Sequence, residues 1–194
     1  MSSLNRRELL GMLAATPATM LLPLAPATRE RAARHAAQAL HNGQAPLFFT
    51  QKEWETVRLL SDLIMPRDEV SGSATDAGVP EFIDFVMNEY RERQTPIRGG
   101  LAWLDREATS RFGRRFVECD PSQQTALLDD IAWPAKARPE MAAGVAFFTR
   151  FRDLVANGFY SSKEGVKDLG YQGNVFVSEW TGCPESIYER LGTK

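Results

Sequence analysis

Apolar residues recur along this chain at three- and four-residue intervals, and that spacing predicts helices almost throughout. Thr50-Gln51-Lys52-Glu53 is a capping box. Behind it Trp54, Val57, Ser61 and Ile64 fall on one face, with Leu60 beside them, so a first helix is expected over about 51–64, ended by Pro66. A turn-rich loop over 66–79 leads to Pro80, which suits the first position of a second helix whose buried face holds Phe82, Phe85, Val86 and Tyr90, to about Arg93. A third is expected over about 97–112 through Leu101, Leu104 and Ala108. Asp120-Pro121 opens a fourth with Leu127, Leu128 and Ile131. Pro139 opens a fifth, to about 156, with Val145, Phe148, Phe151 or Arg152, and Val155, stopped by Gly158. Ser161-Ser162-Lys163-Glu164 caps one or two further turns, and Pro184 begins a last short helix through Tyr188 and Leu191. Strand alternation is nearly absent; only Val175-Phe176-Val177 reads as an edge strand. The expectation is an all-α domain, a compact bundle of about five to seven helices, with an irregular C-terminal segment rich in glycine and aromatics.

The two ends break this pattern. At the start, Arg6-Arg7 precede an apolar stretch, Leu9 to Leu24, that ends in Ala25-Pro26-Ala27. A basic region, a short apolar region and a small-x-small cleavage site have the form of an export signal, and the paired arginine has its bacterial twin-arginine form. The stretch is shorter than the ~20 apolar residues of a membrane span, and Pro17 and Pro23 interrupt it. An ordinary export signal and a cytosolic basic start are the rival readings. Cleavage after Ala27 would leave a chain starting at Thr28. Residues 28–46 are Ala-rich and polar with few large apolar groups; a frayed helix is one reading, but the segment is read as a linker or partner-binding arm, with the domain proper over 47–194.

Charge and motifs narrow the chemistry. The whole chain carries a net charge of −2; removing Arg6, Arg7 and Glu8 with the leader makes it −3. That argues against a nucleic-acid surface, which needs a basic excess. The only histidines, His35 and His41, lie before the domain, and the only cysteines are Cys119 and Cys183. The sequence contains no Cys-x-x-Cys-His for haem, no cysteine cluster, no Gly-x-Gly-x-x-Gly and no phosphate-binding Gly-x-x-x-x-Gly-Lys-Ser/Thr. The residues therefore name no catalytic group, no bound cofactor and no metal site. The acidic loop (Asp62, Asp68, Glu69, Asp76, Glu81, Asp84) lacks the spacing of an EF-hand and reads as solvated.

Two cysteines in an exported chain are disulfide candidates. A Cys119–Cys183 bridge would close a loop of about 64 residues and stabilise by roughly 4 kcal/mol in the chain-entropy model. Two separate thiols, or a bond from Cys183 to another subunit, remain alternatives. The tail from Tyr171 to Cys183 offers an interface through Tyr171, Phe176, Trp180, Thr181, Gly182 and Pro184, or else covers the domain's own core.

Three pieces of sequence carry a family resemblance: Phe49-Thr50 followed by a helix to Leu63-Ile64-Met65-Pro66; Asp76-Ala77-Gly78-Val79-Pro80-Glu81-Phe82-Ile83-Asp84; and Phe159-Tyr160-Ser161-Ser162-Lys163-Glu164-Gly165 leading to Leu169-Gly170-Tyr171-Gln172-Gly173-Asn174. In this order, behind a twin-arginine signal, the chain resembles the gluconate 2-dehydrogenase subunit 3 family over about residues 47–191. Arg67 departs from the Ala the family often has after the first Pro. The resemblance implies a small subunit of a bacterial flavin-dependent sugar dehydrogenase. Its partner would be an FAD-bearing large subunit of the glucose-methanol-choline oxidoreductase type, with a haem c subunit in some complexes. The substrates of such complexes are gluconate, glucose, fructose, or C3 of glucosides and lactose. The small subunit would bring the signal for the twin-arginine machinery and carry the flavoprotein to the periplasm, bound to it. The rivals are a stand-alone exported enzyme using carboxylates, and a binding module without an enzyme partner.

Overall fold

A computed structural model describes residues 24–171 together with 173, 179, 182 and 187. Among these the chain is all-α: α1 (Pro26–Asn42), α2 (Gln51–Ile64), α3 (Val79–Glu89), α4 (Arg91–Phe112), α5 (Pro121–Ala132), α6 (Ala142–Tyr160) and α7 (Lys163–Asp168), with 3-10 turns at Phe116–Glu118 and Pro139–Met141. Helix α6 is the hub and packs against all six other helices. Its Phe147, Phe148, Phe151, Leu154, Val155 and Phe159 are buried in one continuous core with Val57, Leu60, Phe82, Ile83, Leu104 and Leu127. The expected strand at 175–177 and the last helix from Pro184 lie outside the described residues.

The start of α2 behaves as its sequence demands. Thr50 accepts from the Glu53 amide at 3.4 Å, and Glu53 accepts from the Thr50 amide at 2.8 Å. Phe49 and Trp54 lie on either side of this cap with ring centroids 6.4 Å apart, closing a hydrophobic staple. The three amides leading in, Leu47, Phe48 and Phe49, all donate to the buried Asp84 carboxylate at 2.6, 3.0 and 3.1 Å. Arg98 clasps the same segment from α4, donating to the Phe48 carbonyl at 2.9 Å and stacking over the Phe48 ring at 4.1 Å.

Several boundaries differ from the sequence expectation. Helix α4 starts at Arg91 and takes Pro96 into its interior. A proline there removes only the bond to the Glu92 carbonyl, and the helix tolerates it because α4 is long and packed on α6. Gly158 does not stop α6, which continues to Tyr160. It is a packing glycine, since a Cβ there would come within 3.1 Å of the Phe82 ring. Gly100 is tighter still: a Cβ would overlap the Phe147 ring, so α4 and α6 cross at van der Waals contact of backbone and ring.

The largest difference is at 28–46. The segment read as a linker or arm is helical from Pro26 to Asn42 and lies on α3, with Ala32, Ala36 and Ala39 buried. Polar and aromatic contacts hold its edges: Arg31 to Glu89 at 3.0 Å, Thr28 Oγ1 to Tyr90 Oη at 2.8 Å, and His35 against Phe85 with rings 4.9 Å apart. Gly78, in the left-handed conformation at the cap of α3, sits under the Ala36 carbonyl.

Candidate partner-binding surface

The acidic loop over 66–78 is built by its own carboxylates. Asp68 accepts from the Val70 and Ser71 amides, both at 2.9 Å. Asp76 accepts from the Ser73 amide and from Arg67, both at 2.7 Å, and these bonds hold its carboxyl below the usual carboxylate range. Asp62 reaches in from α2 to the Thr75 amide at 2.7 Å. These oxygens are spent on backbone donors and fix the loop's shape. Among the described residues no group of three His, Cys, Asp or Glu side chains is arranged to hold a metal ion.

Two further carboxyls are buried. Glu81 has its pKa raised chiefly by burial, with Arg58 at 3.8 Å opposing the shift. Asp153 is likewise raised chiefly by burial and opposed by Arg152, whose Nη2 lies 3.6 Å away. Arg152 is 2% exposed, and its Nε and Nη2 have no hydrogen-bond partner among the described residues. Both carboxyls are buried among the helices.

Four of the exposed apolar side chains lie at one edge. Ser71 donates to Asp168 at 3.4 Å, which ties the loop to the end of α7. On either side of that bond lie Val70 (59% exposed) and Leu169 (57%), with Val166 (38%) and Tyr171 (62%) nearby in the chain. Gly170 takes a left-handed φ of 63° and the Tyr171 amide returns to the Val166 carbonyl at 3.2 Å, so the turn after α7 fixes Tyr171 at this edge. Leu40, Leu47 and Trp133 are exposed elsewhere. Of the interface residues expected from sequence, Tyr171 belongs to this edge and Gly182 is described without a side chain to offer. Phe176, Trp180, Thr181 and Pro184 lie outside the described residues. The sequence did not single out Val70, Val166 or Leu169; their signal, apolar residues beside turn glycines, is weak in a polar loop.

The remaining candidates separate in the same way. Cys119 is a buried free thiol 3.4 Å from the Arg115 carbonyl, its pKa raised chiefly by burial; Cys183 lies outside the described residues. Arg6 and Arg7 also lie outside them. Ala25 and Ala27 are described, as the cap and second residue of α1, and the Ala25 carbonyl accepts from the Thr28 and Arg29 amides at 2.9 and 3.0 Å. The expected cleavage point, after Ala27, therefore falls within the first turn of α1. Among the described residues no helix is long and apolar enough to cross a membrane.

The three resembling pieces of sequence are the ones that shape the fold: the α2 cap, the Gly78 turn with its Asp84 anchor, and the Ser162 cap of α7, whose Oγ accepts from the Gly165 amide at 3.1 Å. The family profile of gluconate 2-dehydrogenase subunit 3 matches residues 51–178. The chain belongs to the gluconate 2-dehydrogenase subunit 3 family. The match starts at the first residue of α2, so α1 precedes it, and it takes in both the acidic loop and the exposed apolar edge at α7. No curated protein and no solved structure gave a significant match. Membership makes the chain a subunit of a dehydrogenase assembly, as the family's description states.

Proposed function

We infer that the chain is the non-catalytic small subunit of a periplasmic flavin-dependent sugar or glycoside dehydrogenase, and that it stabilises and co-exports the FAD-bearing large subunit. The family match is the observation that carries this reading. The duties of the signature residues support it: they cap helices, anchor the 47–49 segment and pack glycines, which is the work of a scaffold. The exposed edge of Val70, Val166, Leu169 and Tyr171 supports it too, because apolar side chains gathered on one rim are what a partner subunit covers. The twin-arginine signal of the sequence supplies the export route for both chains. The flavin, and a haem c where a third subunit takes the electrons, belong to the partners.

The test is removal of this chain from its own cells. The reading expects periplasmic oxidation of gluconate, glucose, fructose or lactose by an artificial electron acceptor to disappear, with the flavoprotein left in the cytoplasm. Undiminished periplasmic activity in the deletion strain would falsify it.

A further inference from the structure

Helix α1 has a second working face. Its inner side is committed to α3, but Ala33 and Ala37 lie about a third of a turn away and floor an open groove of about 480 Å³, joined by Pro26 for as long as the leader is attached. The opposite wall is the junction of α6 and α7, Ser161 to Lys163. Arg29, Arg34 and Lys163 line its rim, and Glu30, the one acid in the lining, is held 3.6 Å from Arg34. The groove is thus basic on a chain whose net charge is −2. The exposed Lys167 and Val166 carry the same mixture one turn further along α7, towards the apolar edge at Leu169 and Tyr171.

We propose that this groove docks an acidic segment of the flavoprotein subunit, with its apolar side chains on the alanine floor and its carboxylates at Arg29, Arg34 and Lys163. The proposal rests on the subunit reading above. Alanines let a backbone approach closely, and the rim cations steer an acidic segment and reject a basic one. A second copy of this chain is a poor occupant, because a two-fold pairing would set the same basic rim against itself. One wall lies before the family-matched residues and the other within them.

The test compares complexes purified through a tag on the full chain in its own cells. The triple variant Arg29→Glu/Arg34→Glu/Lys163→Glu is expected to recover at least about tenfold less flavoprotein per chain at 0.15 M salt. Arg91→Glu/Arg106→Glu/Arg150→Glu, exposed cations outside the groove, should recover as much as the wild type. Unchanged circular dichroism and melting of the triple variant show that it is folded. A photo-cross-linking residue at Ala37 should label an Asp/Glu-rich flavoprotein peptide. Wild-type recovery from the triple variant, or Ala37 cross-links confined to a second copy or to residues 172–194, overturns the docking proposal and leaves the subunit reading standing. A wild-type chain that recovers no flavoprotein overturns both.

Discussion

Helix α6 is buried almost all round its second half, helix α1 on one side only, and the two are held by opposite means. Helix α6 inserts four phenylalanines, a leucine and a valine among all the other helices. Helix α1 buries three alanines on α3 and holds its edges with one half-exposed ion pair, one hydroxyl bond and one ring contact. At roughly 25 cal/mol per Å² the phenylalanines supply far more driving force than alanine methyls. So α6 makes the fold, while α1 is laid upon it and can respond to a partner. A helix held by small side chains also walls the basic groove, as expected if binding surfaces are drawn from the less stable end of a structure.

The widest test of this contrast is Phe151→Ala. It should cost about 3–5 kcal/mol and unfold the whole domain at lower denaturant, read by urea melts. A loss under about 1 kcal/mol would remove α6 from its central place. Asp84→Ala comes next. It strips the acceptor from three amides, two of them partly buried and one buried, and should cost about 3 kcal/mol. Hydrogen exchange should quicken at 47–49 and at the start of α2. For α1, Ala32→Leu overfills a fully buried site and should cost about 1–3 kcal/mol. The sharper readout is location: exchange should quicken across α1 and stay slow in α6. Uniform acceleration would mean that α1 and α6 fold as one unit.

The smallest effect is electrostatic. Glu81 has a raised pKa in the folded state, so folding favours its protonated form, and stability is lost as pH rises from the ordinary carboxylate value through the raised one. Glu81→Gln removes that cost. Its melting temperature should equal or exceed wild type at neutral pH, and the advantage should shrink as pH falls through the raised pKa into the ordinary carboxylate range. Arg58, partly exposed, stays solvated without its partner. A variant less stable at pH 7 than at pH 4, relative to wild type, would contradict the assignment of burial as the leading cause.

The same contrast explains what was legible in the sequence. The α2 cap, the Pro80 start of α3 and the α6 stripe were readable because large apolar residues and capping side chains leave periodic marks. Helix α1 was not, because alanines every three or four residues among arginines do not register as a buried face until α3 is placed beneath them. The start expected at 97 and the stop expected at Gly158 miss for a related reason. Pro96 and Gly158 are local breakers whose cost is offset by packing on a neighbour, and the neighbour is invisible in the local pattern. The candidate surface was legible only at Tyr171. Val70 and Leu169 flank the Ser71–Asp168 bond, which spans 97 positions of chain, and no window of sequence contains both.

The central claim is that this chain works as one part of a flavoprotein pair, and a single purification tests it most directly. The full chain, tagged at its C-terminus and isolated from its own cells at 0.15 M salt, is expected to arrive with an equimolar larger protein whose spectrum shows the two visible bands of oxidised flavin, bleached on adding the sugar. A colourless chain recovered alone, or one that turns over a sugar without any flavin present, would contradict it.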